Sequence, residues 1–114
     1  MEKIVKVGEY GFPARSTAAS LFLYKSHFGR DGIKDLMSLA KAAPNGADVS
    51  EDFDIDVFYR FLWTFAKAAT PGTPPMTDWL DEFDMSPLDF IAEALPQVQE
   101  MLMSTVKSSV KSKK

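Results

Sequence analysis

The sequence predicts a mainly α fold: a small helical domain led by a short N-terminal β-hairpin. Three observations predict it. Apolar residues recur at the helical period through much of the chain, most clearly as Phe58, Phe61, Leu62 and Phe65 at i, i+3, i+4 and i+7. Alternation at the strand period is confined to the start, where Val5 and Val7 flank Lys6 and Tyr10 and Phe12 follow. The breakers Gly29, Pro44-Asn45-Gly46 and Thr70-Pro71-Gly72-Thr73-Pro74-Pro75 cut the remainder into helix-sized lengths.

Taken in order, Gly8-Glu9 is a two-residue turn that begins with glycine and joins the two strands of the hairpin. A two-stranded hairpin is marginal alone in water, so it must lie on helices. Thr17 can cap a first helix with Ala18, Leu21, Tyr24 and Phe28 on its apolar side and Gly29 as its stop. A second helix starts near Asp31, places Ile33, Leu36, Met37 and Ala40 on one side and ends at Pro44-Asn45-Gly46. Asp48-Val49-Ser50-Glu51 has capping-box spacing ahead of the Phe58–Phe65 helix, and Glu51, Asp52, Asp54 and Asp56 suit the positive end of its dipole. Past the proline-rich break, a short helix carries Trp79, Leu80 and Phe83. Ser86-Pro87 then opens a last helix with Leu88, Ile91, Leu95, Val98 and Leu102 as its seam. Pro96 sits inside that seam and predicts a kink or break at Leu95.

At 114 residues the chain is one domain by length, of a size that hides roughly two-thirds of its unfolded surface. Hydrophobic residues at 46% and charged residues at 25% match an ordinary soluble globular protein. Cysteine is absent, which excludes disulfides and thiolate metal sites. Met1 leads directly into Glu2-Lys3-Ile4-Val5-Lys6-Val7, without the apolar core of a signal peptide, and no run approaches the ~20 apolar residues of a membrane span. A cytoplasmic protein with no membrane contact is expected. The net charge of −3 is unevenly spread: Thr105–Lys114 holds four lysines and no acid, so the remainder sums to −7. An acidic body repels phosphate backbones, which argues against nucleic acid as a partner. The division expected is a helical domain over 1–103 and a flexible basic tail over 104–114.

No catalytic, cofactor-binding or metal-binding residue is assigned. His27, the single histidine, has no serine or acid at a spacing that would make it a base and reads as a surface or capping residue. Asp81, Glu82 and Asp84 lack the alternating ligands and central glycine of a calcium loop. Gly29-Arg30-Asp31-Gly32 lacks the lysine and length of a phosphate loop. An enzyme is not expected. The informative residues are aromatic. Tyr59 and Trp63 lie roughly 100 to 140 degrees around the helix from Phe58, so a second helix or a partner must cover them. Trp79 and Phe83 pose the same choice between core and partner contact. The candidate partner-binding residues are therefore Tyr59, Trp63, Trp79 and Phe83. Phe90, Ala94 and Met101, off the last helix's seam, add apolar surface that self-association could cover.

Several pieces together resemble the tail assembly chaperones of long-tailed bacteriophages of the siphovirus type. They are the hairpin-like start, Tyr24-Lys25-Ser26-His27-Phe28-Gly29-Arg30-Asp31 leading into Lys34-Asp35-Leu36, the helix Phe61-Leu62-Trp63-Thr64-Phe65-Ala66-Lys67-Ala68, and the proline break before Trp79-Leu80-Asp81-Glu82-Phe83. The ordered set covers residues 3–103. The resemblance implies a small, mostly helical viral protein acting in the host cytoplasm. Such proteins self-associate, coat the tape measure protein, and help the major tail protein assemble around it. It supplies no catalytic residues to carry over, and Pro96 departs from its continuous last helix. The alternative is a small helical adaptor or transcriptional regulator, which would need a recognition helix with clustered basic residues; none appears outside the tail.

Overall fold

The computed structural model describes residues 1–42 and 54–106. Two strands, β1 (Glu2–Val7) and β2 (Tyr10–Arg15), precede five helices among the described residues: α1 (Ser20–Phe28), α2 (Gly32–Ala42), α3 (Ile55–Ala69), α4 (Met76–Leu80) and α5 (Pro87–Val106). The strands are antiparallel with Val7 opposite Tyr10, as the Gly8-Glu9 turn predicts. Gly8 takes φ +59°, the backbone angle that a side chain resists and that lets a two-residue turn follow the strands' twist. Val5, Val7, Phe12 and Ala14 share the inward face and are buried, with β2 against α3 and β1 against α5.

The outer edge of β1 is covered by side chains of α5. The Lys6 N–H donates to Gln97 Oε1 at 3.0 Å, and Gln97 Nε2 donates back to the Lys6 carbonyl at 2.7 Å. Glu93 accepts from the Gly8 N–H, and Glu100 pairs with Lys3 at 2.7 Å. These three residues recur at i, i+4 and i+7, so one row of α5 satisfies an edge that would otherwise recruit another strand. Ile4, two residues from Lys6, also turns its backbone outward, and its partner Pro13 therefore gives up no ladder bond.

The expected cap is corrected: α1 begins at Ser20 with Ala19 as its N-cap and no side chain bonded to its first N–H groups, and Thr17 orders the turn ahead of it. Its Oγ1 accepts from the Ala19 N–H at 3.2 Å while Ser20 Oγ accepts from the Thr17 N–H at 2.9 Å, a reciprocal pair. Gly29 closes α1 at φ +67° with its N–H on the Lys25 carbonyl. The expected apolar face of α2 is corrected. Asp35, Leu36 and Leu39 are buried, whereas Ile33 is 60% and Met37 47% exposed. Two contacts set this rotation: Asp35 is drawn inward by Tyr24, and Gly32 meets α1 so closely that a Cβ there would lie 3.0 Å from Leu21 Cδ2. The expected end of α2 at Pro44-Asn45-Gly46 and the Asp48–Glu51 capping box lie outside the described residues. The observed cap of α3 is Asp54, whose carboxylate accepts from the Asp56 and Val57 N–H groups.

On α3, Phe58, Phe61, Leu62 and Phe65 are fully buried, as their spacing predicts. Lys67 closes the helix by donating to the Pro71 carbonyl at 2.7 Å and the Thr73 carbonyl at 3.2 Å. Phe83 falls three residues beyond α4 rather than on it. Ser86 accepts from the Leu88 N–H at 3.2 Å and Pro87 opens α5, as expected. The seam is corrected at Leu88, which is 78% exposed, while Phe90, Ala94 and Met101 join Leu95, Val98 and Leu102 in the core. Helix α5 runs unbroken through Pro96. Both Pro96 and Ala92, whose carbonyl loses its donor, are exposed, so water can replace the missing bond. The helix continues to Val106, past the expected boundary at 103, and residues 107–114 lie outside the described residues.

Candidate functional site

The four aromatic candidates do not share one surface. Trp63 is 6% and Trp79 5% exposed. Trp63 meets the ring of Phe28 edge-on at 5.5 Å and that of His27 at 4.8 Å, and its indole N–H donates to the Pro74 carbonyl at 2.7 Å. The end of α1 therefore covers it, the first of the two coverings its position allowed. Trp79 packs edge-on against Phe12 at 5.0 Å and Phe83 at 5.1 Å. Neither indole has appreciable surface to offer a partner.

Tyr59 and Phe83 are half-buried and come together. They line an open cavity of about 300 Å³ with Thr77 and Leu80 of α4, Met85 and Phe90. Phe83 is the hub of its wall, touching the rings of Tyr10 at 5.3 Å, Phe12 at 5.7 Å and Phe90 at 5.1 Å. Tyr59 faces Phe90 at 6.1 Å. The Tyr10 hydroxyl accepts from the Asp84 N–H at 3.1 Å and ties the hairpin to the segment carrying Phe83. Burial raises the Tyr59 phenol above its ordinary pKa, so at neutral pH it is a hydrogen-bonding group and not a charge. Offset and edge-on aromatic packing of this kind fixes the ring orientations, so the groove is preformed. Leu80, Met85 and Thr77 carry no periodic signal, and their part in the groove was not legible from spacing.

A second cluster was missed. Tyr24 donates to Asp35 Oδ2 at 2.7 Å, and Arg30 grips both oxygens of the same carboxylate at 2.8 and 3.2 Å. Arg60 of α3 brings Nη1 to 4.0 Å from Asp35 Oδ2, and that nitrogen is buried without a hydrogen-bond partner. The Arg30 hydrogen bonds hold the Asp35 carboxyl below its usual range; burial, then the Asp35 hydrogen bond, push the Tyr24 phenol up to about 12. At neutral pH the carboxylate is charged, the phenol neutral and both are engaged, which makes the cluster a clasp joining α1, α2 and α3. The signal that could have found it is an aspartate beside Leu36 on a helix face otherwise apolar.

Further apolar surface remains outside. Phe22 is 72% exposed and, with Ile33, borders a depression at the α1–α2 junction. The surfaces from which self-association was expected, the flanks of α3 and Phe90, Ala94 and Met101 of α5, are largely covered within the chain. Among the described residues no three His, Cys, Asp or Glu side chains gather as metal ligands, and no helix is long and apolar enough to cross a membrane. Compared with known proteins, the chain matches no family model, no curated protein and no solved structure.

Proposed function

We propose that this chain is a non-catalytic assembly chaperone, a binding protein that shields apolar segments of another polypeptide, in the manner of the phage tail assembly chaperones its sequence resembles. The observation that supports the reading is the open aromatic groove of Tyr59, Phe83 and Phe90. Its walls are rigid rings, so binding into it needs little ordering of the protein itself. A volume of about 300 Å³ accommodates one or two large apolar side chains at a time, which suits transient holding of a long chain more than permanent capture. On this reading the client is the tape measure protein, the major tail protein is the second partner, and the chain self-associates in the host cytoplasm.

Co-expression tests it. Co-expressed with a tape measure protein from the same genome, the chain should yield a soluble complex that co-purifies. A tape measure protein that aggregates to the same extent with and without the chain would refute the reading.

A further inference from the structure

The groove's apolar floor has an acidic border. Asp81 lines it, Asp84 follows Phe83, and Asp78 and Asp89 stand on α4 and the first turn of α5, while Glu82 lines the neighbouring cleft with Phe12 and Trp79; all five are exposed. No lysine or arginine occurs between Lys67 and Lys107. Among the described residues none of the five acids makes an ion pair, whereas Glu2, Asp35 and Glu100 do. Asp78 and Asp89 have a structural use, since each lies in a helical first turn where the dipole favours an acid. Asp81 and Glu82 stand at the opposite end of α4, where the dipole opposes them.

Apolar surface extends beyond the cavity on both sides. Ile55, 39% exposed, precedes Tyr59 by one turn on the same face of α3, and Leu88, 78% exposed, follows Pro87 at the rim. We infer that this acid-bordered groove takes a basic amphipathic segment of the partner chain, with large apolar side chains seated on Tyr59, Phe83 and Phe90 and flanking lysines or arginines over Asp81 and Asp84. The inference rests on the reading that this groove holds another chain. Opposite charges at the rim steer encounter and select partners, while the floor supplies burial. An acidic or neutral amphipathic segment of equal hydrophobicity is repelled or passed over.

The test uses the full chain and a fluorescein-labelled peptide of two Leu-Lys-Lys-Leu-Leu-Lys-Leu repeats, read by anisotropy. The lysine peptide should bind, and its glutamate counterpart should bind at least ~10-fold more weakly. Asp81→Lys with Asp84→Lys should weaken the lysine peptide about 10-fold or more. Glu2→Lys with Glu100→Lys, an equal change in net charge at the far end of the hairpin, should leave it unchanged. Equal weakening by the two pairs would reduce the effect to bulk attraction and overturn the inference. Binding that appears only after Lys107, Lys111, Lys113 and Lys114 are replaced by serine would assign the groove to the chain's own tail and overturn it as well. A soluble tape measure complex with no peptide binding would sink this inference and leave the chaperone reading standing; peptide binding with no such complex would do the reverse.

Discussion

Replacing Asp35 by alanine opens the clasp at its centre. The Tyr24 hydroxyl, on a residue with no exposed surface, loses its acceptor, and a buried hydrogen bond to a charged group contributes about 1.5–3 kcal/mol. The Arg30 arm is half-exposed, so solvent screens it and it adds little. Arg60 Nη1, already without a hydrogen bond, loses its nearest opposite charge. Asp35→Ala should therefore cost about 2–4 kcal/mol in urea unfolding at pH 7. The pH dependence has a definite sign. Because the folded-state carboxyl is depressed, its contribution is present above the unfolded pKa of about 3.9 and lost as pH falls through the folded value. The gap between wild type and variant should thus shrink below about pH 4. A cycle with Tyr24→Phe should show non-additivity of about 1 kcal/mol or more. A difference under about 1 kcal/mol at pH 7, or one that persists unchanged into acid, would refute the clasp.

Tyr24 should titrate late. Its raised pKa stabilises the fold fully below about pH 10, and that contribution is lost as pH rises through about 12, so phenolate absorbance from this residue should appear together with alkaline unfolding; a Tyr24 signal that precedes unfolding contradicts its burial. Phe61→Ala should cost about 3–5 kcal/mol, since the ring is fully buried and stacks on Tyr24 at 4.2 Å; an unchanged melting temperature would remove it from the core. Pro96→Ala should raise stability by about 1–3 kcal/mol by restoring an N–H inside α5; a loss would mean the proline shapes the helix usefully. Sedimentation should show mass falling on dilution if the chain self-associates, and a constant monomer across a wide concentration range rejects that part of the proposal.

What spacing reveals is one-sided burial, and elements with one unambiguous stripe were legible. Phe58, Phe61, Leu62 and Phe65 lie on one face and are buried; Gly8-Glu9 announces its turn because a two-residue hairpin connection demands that backbone. Helix α2 was misread because counting apolar positions favours Ile33 and Met37, whereas the bonds of Asp35 to Tyr24 and Arg30 rotate a polar residue inward. On α5 two apolar rows compete, and packing against β1 and α3 chooses Phe90 and Ala94 over Leu88. The aromatic candidates were singled out as large apolar groups needing cover, and within the chain Trp63 and Trp79 receive it. Which ones stayed accessible depended on contacts far along the chain, such as Pro74 on Trp63 and Phe12 on Trp79. No local pattern encodes those contacts.

Hydrogen exchange of the chain alone and in complex with the tape measure protein tests the central claim, that the Tyr59–Phe83–Phe90 groove is the client site. Protection should concentrate in α4, the Phe83–Met85 segment and the first turns of α5, because a seated segment closes the groove and suppresses local opening. Protection confined to α1 and α2, with that region exchanging as in the free chain, would contradict it.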